Sequence, residues 1–239
     1  MRKVMADKVE QAKRKAAIAA VDKYVFDGNK VGIGSGSTIA YAVERLAERV
    51  SKEKLNVVCV PTSFQANQLI HQYGLTLGSL DQHPELDIAI DGADEVDSQL
   101  NCIKGGGGCQ TQEKIVASCA KIFVICADYR KDSSVLGEQW TKGVPLEVIP
   151  MAYVPVLSKL KKMGADATLR MALSKAGPCV SDNGNLIIDA KFGLINDVVE
   201  LEARLNSIPG IVCTGLFVGM AKEAFFGTAE GQVTSRGPV

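Results

Sequence analysis

Short apolar runs alternate with helical patterns along the first half of the chain, and this alternation limits the folds open to it. The predicted strands are residues 30–33, 55–60, 75–77, 86–90 and 122–127. The predicted helices are an amphipathic helix at the N-terminus up to Val25, a pattern opening after Gly36 and running through Val50, and residues 63–73 and 112–120. Repeated βαβ units predict an α/β fold, a Rossmann-like and mainly parallel sheet with helices on both faces.

The pattern changes after Asp128. Helices are predicted at 154–163 and 197–205, strands at 168–173 and 185–190, and short strands near Ile211 and Leu216. An Asp182-Asn183-Gly184-Asn185 turn between the two longer strands indicates a hairpin, and hence antiparallel pairing. We therefore expect a second, smaller α+β domain of the ferredoxin-like kind.

The densest cluster of chemically active residues lies at 90–114, which holds five acids, two lysines and a run of four glycines. Asp91 comes directly after a predicted strand, at the strand end where open α/β sheets bind ligands. Gly105, Gly106 and Gly107 let backbone N–H groups approach an anion closely, and Lys104 stands beside them. This segment is the first candidate for an active site.

A second glycine loop, Gly32-x-Gly34-x-Gly36, follows a predicted strand and opens a helix at Ser37 and Thr38. Free N–H groups and the helix dipole favour a phosphate there, although a loop that only connects strand to helix is an alternative. The spacing lacks the third glycine of a dinucleotide fingerprint and the lysine of a Walker A loop. Hydroxyls on Ser35, Ser37 and Thr38 favour a monophosphate.

The acids allow more than one role when each is taken alone. Asp91 and Asp94, on either side of Gly92 and Ala93, suit sugar hydroxyls or a divalent metal, and a solvated acidic turn also explains them. Glu113, early in a helix, is a candidate general base. A solvated glutamate favoured by the helix dipole is the alternative.

Composition excludes several classes of function. Lys and Arg balance Asp and Glu at 27 each, which argues against a nucleic-acid surface. No apolar run approaches the roughly 20 residues of a membrane span, and the N-terminus lacks the apolar core of a signal peptide. Seven cysteines without a C-x-x-C pair argue against a zinc knuckle and a secreted disulfide framework, and two histidines far apart in the chain argue against a His-based metal site. We expect a cytoplasmic protein.

Several ordered motifs together resemble the type A ribose-5-phosphate isomerases, with a eukaryotic character, over nearly the whole chain. They are G-I-G-S-G-S-T at 32–38, P-T-S-F-Q-A at 61–66, D-G-A-D-E-V-D at 91–97, K-G-G-G-G at 104–108, Q-E-K-I-V-A at 112–117, A-D-Y-R-K at 127–131, P-L-E-V-I-P-M-A at 145–152, D-N-G-N at 182–185 and I-P-G-I-V at 208–212.

The resemblance implies interconversion of D-ribose 5-phosphate and D-ribulose 5-phosphate through a cis-enediolate, in the pentose phosphate pathway, without metal or organic cofactor. It implies Glu113 as proton acceptor and Asp91 for opening the sugar ring. The implied contacts to the substrate phosphate are Ser35, Gly36, Ser37 and Thr38. The residues implied to line the sugar are Asp91, Gly92, Ala93, Asp94, Lys104, Gly105, Gly106 and Gly107, and Lys131 is a further substrate contact. Lys104 or Lys131 would stabilise the enediolate oxygen.

By the same analogy, residues 1–136 and 217–239 form the catalytic domain, and 137–216 form the smaller domain, which takes part in a homodimer or tetramer. Two other functions are open. A non-catalytic sugar-phosphate sensor on the same fold would need a DNA-binding module and would be expected to lack the base at position 113. A NAD-dependent oxidoreductase would need a complete dinucleotide fingerprint.

Overall fold

The structure, a computed structural model, describes residues 2–237, with residues 2–5 described by their backbone alone. The chain divides into two compact units. Unit 1 comprises residues 1–93, 112–132 and 220–239, and unit 2 comprises residues 94–111 and 133–219. These units differ from the predicted domains mainly in residues 94–111, which lie in unit 2 although the predicted catalytic domain includes them.

Within the described residues the structure has six α-helices and two short 3₁₀ helices. The α-helices are α1 (Arg2–Tyr24), α2 (Ser37–Glu53), α3 (Phe64–Gln72), α4 (Gln110–Ser118), α5 (Tyr153–Lys162) and α6 (Val198–Asn206). The 3₁₀ helices are Tyr129–Lys131 and Pro150–Ala152. The predicted helices are therefore confirmed, with ends shifted by a few residues.

Fourteen strands are present in the described chain. They are β1 (Lys30–Ile33), β2 (Val58–Pro61), β3 (Thr76–Leu77), β4 (Leu86–Asp91), β5 (Glu95–Val96), β6 (Cys102–Ile103), β7 (Ala120–Asp128), β8 (Val144–Val148), β9 (Asp166–Leu169), β10 (Leu186–Lys191), β11 (Ile211–Thr214), β12 (Leu216–Phe217), β13 (Glu223–Gly227) and β14 (Val233–Arg236).

Unit 1 is built on a seven-stranded sheet in the order β14-β13-β7-β4-β1-β2-β3. All neighbouring pairs are parallel except β13 with β14. The chain runs outward from β1 to β2 in one direction and from β4 to β7 in the other, so right-handed connections place α2 and α4 on opposite faces. The predicted Rossmann-like fold is confirmed, and its strand order reverses between β1 and β4, where such sheets bind ligands.

Unit 2 contains a four-stranded antiparallel sheet in the order β11-β8-β10-β9. The chain order β8-α5-β9-β10-α6-β11 with this sheet order is the ferredoxin-like arrangement, as predicted. A second sheet, β12-β6-β5, completes the unit.

The hairpin predicted around the Asn-Gly turn is confirmed in its pairing and wrong in its extent. β9 pairs antiparallel with β10 but ends at Leu169, because residues 170–185 form a long connection. Within that connection the turn closes on Ser181, whose N–H donates to Asn185 O at 2.9 Å, and Gly184 takes a positive φ of 79°. A turn motif thus marks a local reversal and not the end of a long hairpin.

Each unit has its own apolar core. In unit 1, Val31, Ile88, Val124 and other sheet residues pack with apolar residues of α1 and α2, and in unit 2 the core includes Leu146 and Ile188. Among residues 2–237, no helix combines the length and apolar character required to cross a membrane.

Candidate active site

The predicted phosphate loop lies at the end of β1 in unit 1. Gly36 has φ of 100°, a conformation that favours glycine, and α2 begins at the next residue without a side-chain cap on its first N–H groups. The N–H of Gly36 donates to Gln65 Oε1 at 2.8 Å. This donor is therefore occupied, and the uncapped N–H groups at the start of α2 are those suited to an anion.

Hydroxyl groups hold this loop in place. Ser35 Oγ lies 2.9 Å from Thr62 Oγ1 and donates to Ser63 Oγ at 2.6 Å. Ser63 also caps α3, accepting from Ala66 N–H at 3.0 Å. The start of α3 is therefore tied to the loop before α2. The roles of Thr62, Ser63 and Gln65 were not predicted, although their motif at 61–66 contributed to the family resemblance.

A lysine of α1 reaches the same loop. Lys13 Nζ donates to Ser37 Oγ at 3.0 Å and pairs with Glu10 Oε1 at 2.7 Å. The sequence analysis missed Lys13, because one lysine among many in an amphipathic helix carries no distinguishing signal.

Asp91 ends β4 and is buried beside the loop. Its Oδ1 accepts from the N–H of Ser35 at 3.0 Å and of Gly92 at 2.7 Å. A Cβ at Gly34 would come within 2.1 Å of the same oxygen, so glycine is required for this close approach. The structure thus brings together Asp91 and the phosphate loop, as the glycine loop and strand end predicted.

Glu113 lies in the first turn of α4 with only 5% of its surface exposed. The alternative interpretation, a solvated first-turn glutamate, is therefore wrong. Glutamate side chains are almost never fully buried unless they are paired.

Lys131 is held on the 3₁₀ helix that follows β7 in unit 1. Asp128 caps this helix, accepting from Arg130 N–H at 3.2 Å and from Arg130 Nε at 2.6 Å. Burial raises the pKa of the Asp128 carboxyl, but the hydrogen bonds and charge of Arg130 outweigh it and hold the pKa below its ordinary value. The ionised Asp128 therefore fixes the turn that carries Lys131.

The glycine run of residues 105–108 lies in unit 2 with Asp94. The N–H of Gly106 donates to Asp94 Oδ2 at 2.6 Å, and the N–H of Gly108 to Gly105 O at 2.9 Å. Lys104 is 2% exposed, and its Nζ lies 5.3 Å from the centre of the Phe217 ring. The structure thus brings Asp94 and the glycine run together.

Asp91 accepts hydrogen bonds in the phosphate loop of unit 1, and Asp94 accepts one from the glycine run of unit 2. Across the described chain, no three His, Cys, Asp or Glu side chains are grouped closely enough to hold a metal ion.

Together, the Rossmann-like sheet, the phosphate loop and the buried acids define a phosphate-binding α/β enzyme. A model of the ribose 5-phosphate isomerase A family, also called phosphoriboisomerase A, matches residues 58–231. The chain belongs to this family, and the resemblance seen in the motifs is confirmed.

Individual relatives agree with this assignment. The ribose-5-phosphate isomerase of Homo sapiens is 59% identical over 96% of this chain and 74% of its own length. Ribose 5-phosphate isomerase A from Methanocaldococcus jannaschii is 44% identical, with a TM-score of 0.88 over 94% of this chain and 97% of that one. A D-ribose-5-phosphate isomerase in complex with phospho-erythronic acid is 41% identical, with a TM-score of 0.90 and the same coverage.

Proposed function

We propose that the chain interconverts D-ribose 5-phosphate and D-ribulose 5-phosphate, with Glu113 as the general base. The observation that carries this proposal is the burial of Glu113 at the start of α4 in a chain of this family. A carboxylate shielded from water can return to the substrate the proton that it removed, instead of losing it to solvent.

The substrate phosphate binds at the start of α2. The N–H groups there and the hydroxyls of Ser35, Ser37 and Thr38 supply donors, and Lys13 supplies a positive charge. Lys131 is a further substrate contact.

Asp91 opens the furanose ring by taking the proton of the anomeric hydroxyl. The C1=O bond then forms as the bond from C1 to the ring oxygen O4 breaks, and the proton passes to O4. The Asp91 carboxylate is held in one orientation by two backbone N–H groups, so it is preorganised for this step. Gly92, Ala93 and Asp94 line the sugar.

Glu113 then removes the C2 proton of the open-chain aldose, and the C–H electrons form the C1–C2 double bond of a cis-enediolate. The hydroxyl proton on O2 passes to O1, and Glu113 returns its proton to C1 as the C2=O bond of the ketose forms. We assign the enediolate oxygen to Lys104 and to the N–H groups of Gly105 and Gly107, because a buried cation stabilises developing charge more strongly than an exposed one. The relative solved with phospho-erythronic acid supports this chemistry, since the carboxylate of that ligand spreads negative charge over two oxygens, as an enediolate does.

The reaction uses no metal and no organic cofactor. It belongs to the pentose phosphate pathway in the cytoplasm. We also propose a homodimer or tetramer in which the smaller domain takes part. Exposed apolar side chains on unit 2, Ile149, Met151 and Val154, support that assembly. Light scattering coupled to size-exclusion chromatography measures the oligomer directly.

The test is ribulose 5-phosphate formation from ribose 5-phosphate, with EDTA present and no nicotinamide cofactor. We expect the parent chain to be active and Glu113→Gln to lower kcat by at least about 100-fold, because the amide cannot accept the proton. The affinity for inorganic phosphate should change little, since the phosphate loop is intact.

Glu85→Gln is the matched control, because Glu85 is an exposed glutamate outside the proposed site, and its kcat should equal that of the parent. Equal loss of phosphate affinity and turnover in Glu113→Gln would make Glu113 structural. A folded parent chain that binds the sugar phosphate without converting it would support the sensor alternative.

A further inference from the structure

An arginine of unit 2 contacts the backbone of the glycine run. Arg170, directly after β9, donates from Nη1 to Gly105 O at 2.9 Å and to Gly106 O at 3.2 Å. Its other edge binds Asp189 of β10, through Nε to Oδ2 at 2.8 Å and Nη2 to Oδ1 at 2.5 Å. One planar guanidinium thus joins a carboxylate to two loop carbonyls.

Asp189 neutralises this guanidinium. Burial lowers the pKa of Arg170, but the hydrogen bonds and charge of Asp189 outweigh it, so the guanidinium stays charged. With its charge paired and its donors directed to protein oxygens, Arg170 is suited to hold the backbone and not to attract the substrate phosphate.

The carbonyl contacts also determine where the N–H groups of the run point. In a trans peptide the C=O and the following N–H point in opposite directions. Because Gly105 O faces Arg170, the N–H of Gly106 faces away from it, and that N–H indeed donates to Asp94 at 2.6 Å. Because Gly106 O also faces Arg170, the N–H of Gly107 is directed away as well, and a Cβ at Gly107 would meet nothing within 4 Å.

We propose that Arg170, held by Asp189, is a positioning residue that aims the N–H of Gly106 at Asp94 and the N–H of Gly107 at the substrate. The inference rests on the proposed function, which gives the glycine run its role in stabilising the enediolate. Arg170 itself acts only through the loop.

The first test compares the parent with Arg170→Lys, which keeps the charge but cannot bind Asp189 and two carbonyls at once. We expect kcat to fall about 10- to 100-fold, with the dissociation constant for inorganic phosphate unchanged within about twofold, because the phosphate loop is in unit 1. Amide hydrogen exchange of Gly106, measured by NMR without substrate, should become at least about 10-fold faster.

Asp166→Asn is the matched control. Asp166 pairs with Lys191 at 3.6 Å across the same two strands, β9 and β10, at the opposite end of β9 from Arg170. Its kcat and the exchange rate of Gly106 should match the parent. Should Arg170→Lys fail to fold, Asp189→Asn takes its place, because it removes the charge that orients the guanidinium.

Unchanged kcat, or unchanged Gly106 exchange, in a folded Arg170→Lys would overturn the inference. So would an equal loss of activity in the Asp166→Asn control, which would indicate general damage to the β9–β10 pair. An inactive parent would refute the proposed function instead, while the exchange measurement would still report on the contact between Arg170 and the loop.

Discussion

The fully buried carboxylate of Glu147 organises the side chains of several residues distant in the chain. Glu147 of β8 accepts hydrogen bonds from Ser181 Oγ at 2.9 Å, Asn183 Nδ2 at 3.0 Å, Asn185 Nδ2 at 2.7 Å and Thr111 Oγ1 at 2.5 Å. The D-N-G-N motif, which predicted only a turn, therefore also supplies the amides that satisfy this acid. Thr111, the fourth of these donors, lies in α4 two residues before Glu113.

Gln110, the first residue of α4, is buried like Glu147 but, within the described chain, lacks its hydrogen-bond partners. Its side chain is fully buried, and among the described residues neither of its amide atoms has a hydrogen-bond partner. We expect Gln110→Leu to raise the free energy of unfolding by about 1–3 kcal/mol, because a buried unpaired amide costs that much. Urea denaturation measures the change. Gln99→Leu, at an exposed position, is the control and should change stability by less than about 0.5 kcal/mol. Destabilisation by Gln110→Leu would contradict the prediction.

The acid sensitivity of the fold should depend on Asp128. Its folded-state pKa lies below the ordinary value of 3.8, so its contribution to stability is complete above that value and is lost as pH falls through the folded pKa. The difference in unfolding free energy between the parent and Asp128→Asn should therefore be largest near neutral pH and shrink below about pH 4. Arg130→Gln removes the main cause of the lowered pKa and leaves the effect of burial, so the same pH dependence should shrink or reverse in sign. A difference that stays constant from pH 7 to pH 3 would rule this out.

At the scale of elements, helix α1 packs on the sheet through residues with small side chains. Ala12, Ala16, Ala17 and Ala20 are fully buried. A Cβ at Gly227, the last residue of β13, would lie 1.9 Å from the carbonyl oxygen of Ala12. The backbone of the helix therefore approaches the strand as closely as a glycine permits.

This contact predicts a large effect from a small substitution. Gly227→Ala should lower the free energy of unfolding by about 3 kcal/mol, because the added methyl group overlaps a backbone atom that cannot move alone. Thermal and urea denaturation measure the loss. Gly237→Ala, where an added Cβ would meet nothing within 4 Å, should leave stability unchanged. Equal stability of the two variants would mean that α1 shifts freely on the sheet.

At the scale of the molecule, the sequence predicted unit 1 better than unit 2. The strands of the parallel sheet are continuous apolar runs, such as β4 and β7, whose local pattern is enough to recognise them. β5 and β6 are two residues long and show no periodicity, and β6 pairs with β12 more than 100 residues later in the chain. No local signal therefore placed residues 94–111 in unit 2.

Residues of the candidate site were likewise predictable only where they carry a local sequence signal. Glycine loops and clustered acids are visible in a sequence, so the phosphate loop, Asp91 and Glu113 were found from motifs. Lys13, Thr62 and Arg170 were not, because each lies on an element with an ordinary pattern and acquires its role through a partner distant in the chain.

The position of β13 has a consequence for synthesis of the protein. β13 lies between β7 and β14 and pairs in parallel with β7, yet residues 223–227 leave the ribosome only after residues 133–219 of unit 2 have been made. Until they emerge, β7 is an open edge of the sheet, with unpaired backbone groups along an apolar strand. The nascent chain is therefore prone to aggregation, and in need of a chaperone, throughout the synthesis of residues 133–219.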